Sequence, residues 1–149
     1  MRSSPLCPAA EVLGEITERL SLMANYGYTD TQLTDPTTTD IFGQRQRNVP
    51  LNSGSLWGRY NVLDDCHHTL GVGLGCVYVG NRSANLAATV QLPSYTRWDA
   101  GLYYRRGQLN ALVYVENLFD LRYAVSSSNE LRIYPGSPFD VRAQVGWTF

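Results

Sequence analysis

The stretch that decides the fold closes the chain: Asp140-Val-Arg-Ala-Gln-Val-Gly-Trp-Thr-Phe149. Val141, Ala143, Val145, Trp147 and Phe149 take every second position, with Arg142, Gln144, Gly146 and Thr148 between them. A period of two is that of a β-strand, so one sheet face is apolar and the other polar or small. Chain ends in a soluble sheet usually fray into water, where large apolar side chains gain little. A terminal aromatic on the apolar face suits a wall whose outer side meets lipid.

The same alternation recurs upstream. It marks strands over Leu109–Val115, Ser94–Tyr104, Thr69–Gly80, Leu51–Val62 and Leu20–Thr29, with a partial strand over Glu11–Ile16. The connections run short (17–19), long (30–50), short (63–68), long (81–93), short (105–107), long (118–139). Alternating short turns and long loops point to an antiparallel up-and-down transmembrane β-barrel, turns on one side of the membrane and loops on the other. Gly71, Gly73 and Gly75 share one face of their strand. Glycine there leaves nothing to pack, so that face is expected to line a crowded lumen that another domain occupies.

Composition agrees with such a wall. Hydrophobic residues make up 44% of 149 residues, yet no run approaches the ~18 consecutive apolar residues of a spanning helix. A helical membrane protein is excluded, whereas a barrel hides its hydrophobicity in alternation. Ten tyrosines, three tryptophans and thirteen glycines fit a wall with aromatic girdles. With 12 basic and 13 acidic residues, no strong field points to a nucleic-acid partner. Met1 to Pro8 lacks the apolar core of a secretory signal, so residues 1–10 are expected to be an unstructured start and the chain a downstream piece of a longer protein.

Nothing in the chain spells catalysis. Nucleophile, base and orienter do not come together, and no glycine loop is placed to cradle a phosphate, so an enzyme is not expected. Cys66-His67-His68 resembles a metal cluster at first sight, but adjacent histidines on a strand face opposite ways and no fourth ligand is in sight, so no metal is assigned. Cys7, Cys66 and Cys76 are an odd count, which leaves a disulfide between two of them open. Most aromatics fit an interfacial belt. Trp57 is the exception, because it lies on the opposite face from Leu56, Gly58 and Tyr60 and points inward.

Val115-Glu-Asn-Leu-Phe-Asp-Leu-Arg-Tyr123, with Asn117, Leu118, Phe119, Asp120 and Tyr123, is followed by Tyr134-Pro-Gly-Ser-Pro138 and the closing strand. Together with Asn48-Val-Pro-Leu-Asn-Ser-Gly-Ser-Leu-Trp-Gly-Arg-Tyr60 and Gly71-Val-Gly-Leu-Gly-Cys-Val-Tyr-Val-Gly80, these segments resemble the C-terminal end of TonB-dependent outer-membrane receptors, in particular the ferrichrome-type siderophore receptors. The likeness runs over roughly residues 11 to 149. The family often has Asn where Glu116 stands and Arg where Phe139 stands.

The resemblance implies a place in the cell outer membrane and about 6–7 C-terminal strands of a barrel of about 22, which holds a plug inside. It implies that plug, energy-coupling box and signal peptide lie outside residues 11–149. The TonB-ExbB-ExbD complex would then be reached only through the missing plug. Other implied partners are outer-membrane lipid and the barrel-assembly machinery, which would read Val145, Trp147 and Phe149. No bound cofactor is implied; a ferric siderophore would be the transported ligand. Arg45, Arg47, Trp57, Tyr123, Arg132 and Tyr134 are the candidate contacts, through stacking and charge-assisted hydrogen bonds. The alternative is a stand-alone small β-barrel, either a structural outer-membrane protein or a lipocalin-like binder. The small outer-membrane barrel would need an eighth strand in the first ten residues, where Pro5 and Pro8 argue against one; the soluble binder would need the apolar face turned inward, which leaves Trp147 and Phe149 unexplained.

Deleting Phe149 is expected to abolish accumulation in the outer membrane, read by immunoblot of fractionated cells; wild-type levels would remove the closing strand's assembly role.

Overall fold

The computed structural model describes residues 3–33, 43–87, 89–129 and 131–149. All its regular elements are strands: β1 Ser3–Leu6, β2 Ala9–Thr17, β3 Leu20–Tyr28, β4 Asp30–Leu33, β5 Asn52–Asp64, β6 His68–Val79, β7 Arg82–Ser83, β8 Gln91–Leu92, β9 Tyr95–Arg106, β10 Leu109–Glu116, β11 Ala124–Asn129, β12 Arg132–Pro135 and β13 Asp140–Trp147. Seven of them form one antiparallel sheet in the order β13-β10-β9-β6-β5-β3-β2. Each long strand pairs with its neighbour in sequence, except that β13 returns beside β10 after the last long loop.

Register assigns every side chain to a face. Leu56 stands opposite Cys76, which stands opposite Trp98, and Val113 lies between Leu102 and Ala143. These residues form an outer face on which Leu56, Leu74, Leu102 and Val145 are exposed. Trp57, Gly75 and Asp99 stand in line on the inner face, as do Tyr103, Leu112 and Gln144. Cross-strand pairs of this kind contribute ~0.2–1 kcal/mol each.

Among the described residues no second layer covers the sheet. The chain's accessible surface is 10115 Å², against about 7,600 Å² expected for a globular protein of 16.6 kDa. Among the described residues the buried hydrophobics are Ala84 and Leu92, both in the connection from β6 to β9 rather than in the wall.

The turns at one end are tight and locally bonded. Thr17 Oγ1 accepts from the amides of Arg19 and Leu20 at 3.3 and 3.0 Å. Asp65 Oδ1 accepts from the amides of His67 and His68 at 2.9 and 2.7 Å, and these two bonds hold its carboxyl below the usual carboxylate range. Gly107 takes φ +54° in the turn between β9 and β10, a conformation that costs glycine little. Cys66 and His67 thus lie in the turn and His68 opens β6, and all three cysteines are free thiols.

One expectation needs correction. The start is not unstructured: Ser3–Leu6 pairs with Asp30–Leu33, and β2 begins at Ala9. Two of the long loops carry short strands of their own: 81–93 holds the β7–β8 pair, and 118–139 holds a β11–β12 hairpin outside the main sheet. The interior of the first loop, 34–42, lies outside the described residues.

Trp57 lies on the inner face, as its position in the strand implies, and its indole covers the glycine strip there. A methyl group at Gly73 would sit 2.6 Å from Trp57 Cζ2, and one at Gly75 would sit 2.3 Å from Cε3. Gly101 on β9 extends the strip: a methyl group there would sit 3.3 Å from Trp57 and 3.1 Å from Tyr103. The indole also meets Tyr114 at 5.9 Å between ring centroids, and the Arg59 guanidinium covers the Tyr103 ring at 4.5 Å.

Gly73→Ala and Gly75→Ala are expected to cost about 1–3 kcal/mol through overpacking. Gly14→Ala, which meets nothing within 4 Å, is expected to stay within about 0.5 kcal/mol of wild type. The temperature at which the folded band converts on a gel run without boiling reads the difference, and the Gly73 cost should shrink when Trp57→Ala is added.

Candidate functional site

The family-like motif after β10 builds a joint. Asn117 is fully buried, with φ +55°, a left-handed conformation that Asn tolerates better than most residues. Its Nδ2 donates to the carbonyls of Leu121 and Ser137, both at 2.9 Å, and its Oδ1 accepts from the Leu121 amide at 2.8 Å. Asp120, with φ +48°, accepts from the Phe139 amide at 2.9 Å, and the Leu118 amide donates to the Trp98 carbonyl. Phe119 is exposed. The motif therefore clamps both ends of the last loop to the sheet, which the sequence pattern alone does not reveal.

A charged ladder runs across the inner face beside this joint. Asp99, only 3% exposed, accepts from Arg97 at 2.9 Å, from the Tyr114 hydroxyl at 3.0 Å and from the Asn117 amide at 2.9 Å. Arg97 bridges to Glu116 at 2.6 Å, and Glu116 to Arg142 at 2.9 Å; Arg142 then meets Asp140 at 2.6 Å. The Arg142 end is open to water and contributes about 0–1 kcal/mol. Removing one partner at the buried Asp99 end costs about 3–5 kcal/mol, because a charge is left without compensation. Glu116, the position where the resembling family often has Asn, is what joins the two arginines.

The candidate ligand contacts do not form one cluster. Arg45 is exposed and lies 3.5 Å from Asp30. Arg47 is exposed, but its guanidinium donates to the Ser128 carbonyl across to the last loop. Trp57 belongs to the inner wall. Tyr123 packs on Tyr95 at 4.3 Å between centroids, and its hydroxyl accepts from Arg97 at 3.2 Å. Gly136 lies so close to that ring that a Cβ would sit 2.1 Å from Cζ. Arg132 and Tyr134 stand exposed on β12. Val145 and Trp147 are exposed on the outer face of β13, opposite Ala111 and Leu109, and Phe149 follows fully exposed.

Sequence reasoning missed Asn48, Arg82 and Ser127, which tie the loops together, and Asp99. Asp99 carried a signal: a carboxylate in mid-strand, two residues from Arg97 on the same face. Arg82 is 3% exposed, and desolvation lowers its pKa from the usual guanidinium value while it stays charged.

Comparison with known proteins places these features in context. The family described as TonB dependent receptor-like, beta-barrel matches residues 10–118. The metal-pseudopaline receptor CntO of Pseudomonas aeruginosa is 36% identical over 127 residues, covering 84% of this chain and 18% of that protein. The ferrioxamine receptor of Yersinia enterocolitica is 30% identical, covering 93% and 20%. The crystal structure of the siderophore receptor PiuA from Acinetobacter baumannii superposes with a TM-score of 0.82 at 27% identity, over 97% of this chain and 22% of that one. The chain thus spans about a fifth of the length of its relatives.

Asn117→Ala is expected to lose about 1–3 kcal/mol from the buried amide and carbonyl partners, plus about 1–2 kcal/mol of left-handed strain. Asn117→Gly should recover the strain and keep the hydrogen-bond loss. Urea unfolding in detergent separates them, and equal losses would show that the backbone conformation contributes nothing.

Proposed function

Because this chain belongs to the TonB-dependent receptor-like β-barrel family, we propose that it forms wall and outer loops of an outer-membrane receptor that takes up a ferric siderophore. The observation that carries the reading is the seven-stranded sheet with an apolar outer face, tight turns at one end and long, cross-bonded loops at the other. An outward apolar face with a polar inner one is the arrangement of a barrel in lipid. Uptake would depend on the TonB-ExbB-ExbD complex acting through a plug, as the family implies, and assembly on Val145, Trp147 and Phe149 at the end of β13.

The relatives are named for several ligands, among them metal-pseudopaline, ferrioxamine and ferrichrome. The class we propose is the ferric siderophore, and ferrichrome is the first to test. Of the candidate contacts, Arg132 and Tyr134 stand exposed at the loop end, as does Arg45 beside its partner Asp30, and cations with an aromatic ring suit a chelate. Arg47 and Tyr123 hold loops in place, and Trp57 shapes the inner wall.

The test uses iron-limited cells with and without the gene, supplied with iron-55 as ferrichrome, ferrioxamine B or ferric citrate. Gene-dependent uptake of one chelate, lost on de-energising the inner membrane, is expected. Arg132→Ala with Tyr134→Ala should then raise its half-saturating concentration about tenfold. Equal uptake of all three with and without the gene, under induction that puts the protein in the outer membrane, would overturn the reading.

A further inference from the structure

Among the described residues, a cluster of buried side chains lies in the loops rather than in the wall. Arg82, Ser83, Ala84, Asn85 and Ser127 are each less than one-tenth exposed. They lie where three connections meet: residues 43–51 between β4 and β5, residues 80–94 around β7 and β8, and the β11–β12 hairpin. That hairpin shares no ladder with the main sheet, and two strands alone are at best marginally stable in water. Something other than strand pairing must fix its position.

The first connection supplies Asn48, whose φ of +63° turns its carboxamide onto the hairpin. Its Nδ2 donates to the Ser127 carbonyl and its Oδ1 accepts from the Ser127 amide, both at 2.8 Å. The Asn48 amide in turn donates to the Ser83 carbonyl at 2.8 Å, so the same residue holds the second connection. That second connection supplies Arg82. Its Nη2 donates to the carbonyls of Ala124 and of Val125, the latter at 2.9 Å, and Nη1 donates to Gly80 at 3.4 Å. The guanidinium sits over the Tyr95 ring at 5.4 Å. The Ser127 hydroxyl completes the closure by donating to the Ala84 carbonyl.

From this geometry we propose that Asn48 and Arg82 are positioning residues, which lock the three loops into one body and fix the hairpin that presents Arg132 and Tyr134. The proposal rests on the uptake reading for what the hairpin would meet, but its mechanical content stands apart from any ligand. Both residues act on backbone groups of the hairpin's first strand, Arg82 at its base and Asn48 further along, at Ser127 opposite Ile133. A guanidinium spanning two successive carbonyls cannot be replaced by a lysine, which offers one point charge on a flexible stem. Two residues holding one body from separate loops are coupled, so their removals should not add.

The test compares wild type, Asn48→Gly, Arg82→Lys and the double variant, each made by cells as the complete protein and isolated from outer membranes. Asn48→Gly keeps the positive φ accessible and deletes only the carboxamide. Wild-type abundance and an unchanged heat-shifted gel band establish that the barrel is intact. Amide hydrogen exchange over 124–135 is expected to speed up at least about tenfold in either single variant, and exchange over 80–87 should rise with it. The double variant should exceed each single one by less than the product of the two effects. Exchange over 124–135 that stays at the wild-type rate, or effects that multiply with 80–87 unmoved, would overturn the proposal.

Binding of ferrichrome and ferrioxamine B is measured on the same samples. A chelate bound by wild type is expected to bind about tenfold more weakly in the single variants, with the capacity of the preparation unchanged. If wild type binds neither while exchange follows the expected pattern, the uptake reading falls and the positioning role stands.

Discussion

Register is the constraint on which everything else in this structure depends. Side chains alternate across a strand, so a slip of one residue in any pairing would send Trp57, Asp99 and Tyr114 outward and Leu56, Trp98 and Val113 inward. The long strands avoid this with tight, side-chain-bonded turns at one end. Thr17, Asp65 and Gly107 each fix where a hairpin reverses. With the pairing fixed there, the apolar face stays continuous from β2 to β13.

Once the faces are set, the inner one is packed along the sheet rather than away from it. Gly73 and Gly75 on β6 and Gly101 on β9 leave a trough, and the Trp57 indole occupies it. This gives glycine a purpose in strands that propensity alone would count as weak. The aromatic floor then passes into the charged ladder, where Asp99 gathers Arg97, Tyr114 and the backbone of Asn117. Strand, ladder and last loop are thereby one hydrogen-bonded unit, because Asn117 belongs to the joint as much as to the ladder.

Membership in the TonB-dependent receptor family gives these parts a shared rationale. A wall exposed to lipid outside and polar inside cannot draw stability from a conventional core, and the described residues bury almost no apolar side chains. Close packing and polar bonding move instead to the inner surface and the loop end. There Asn48, Arg82 and Ser127 satisfy backbone groups that two-stranded hairpins leave unpaired. The same device gives the loops a defined shape, which a binding surface requires.

The sequence by itself determined the seven strands of the main sheet, their faces and the alternation of turns and loops, because a period of two is a local property written in each segment. Leu20–Thr29, Thr69–Gly80 and Asp140–Phe149 were legible for that reason, as was the family from the run around Asn117. Only the tertiary structure decided that Trp57 fills the glycine strip, that Tyr123 is held by Arg97 and Gly136, and that Ser3–Leu6 pairs with Asp30–Leu33. It also decided that Asn48 and Arg82 meet one hairpin across separations of 79 and 43 residues. Contacts of that kind join side chains to backbone carbonyls, which every residue offers alike, so no pattern of residue types in the chain announces them.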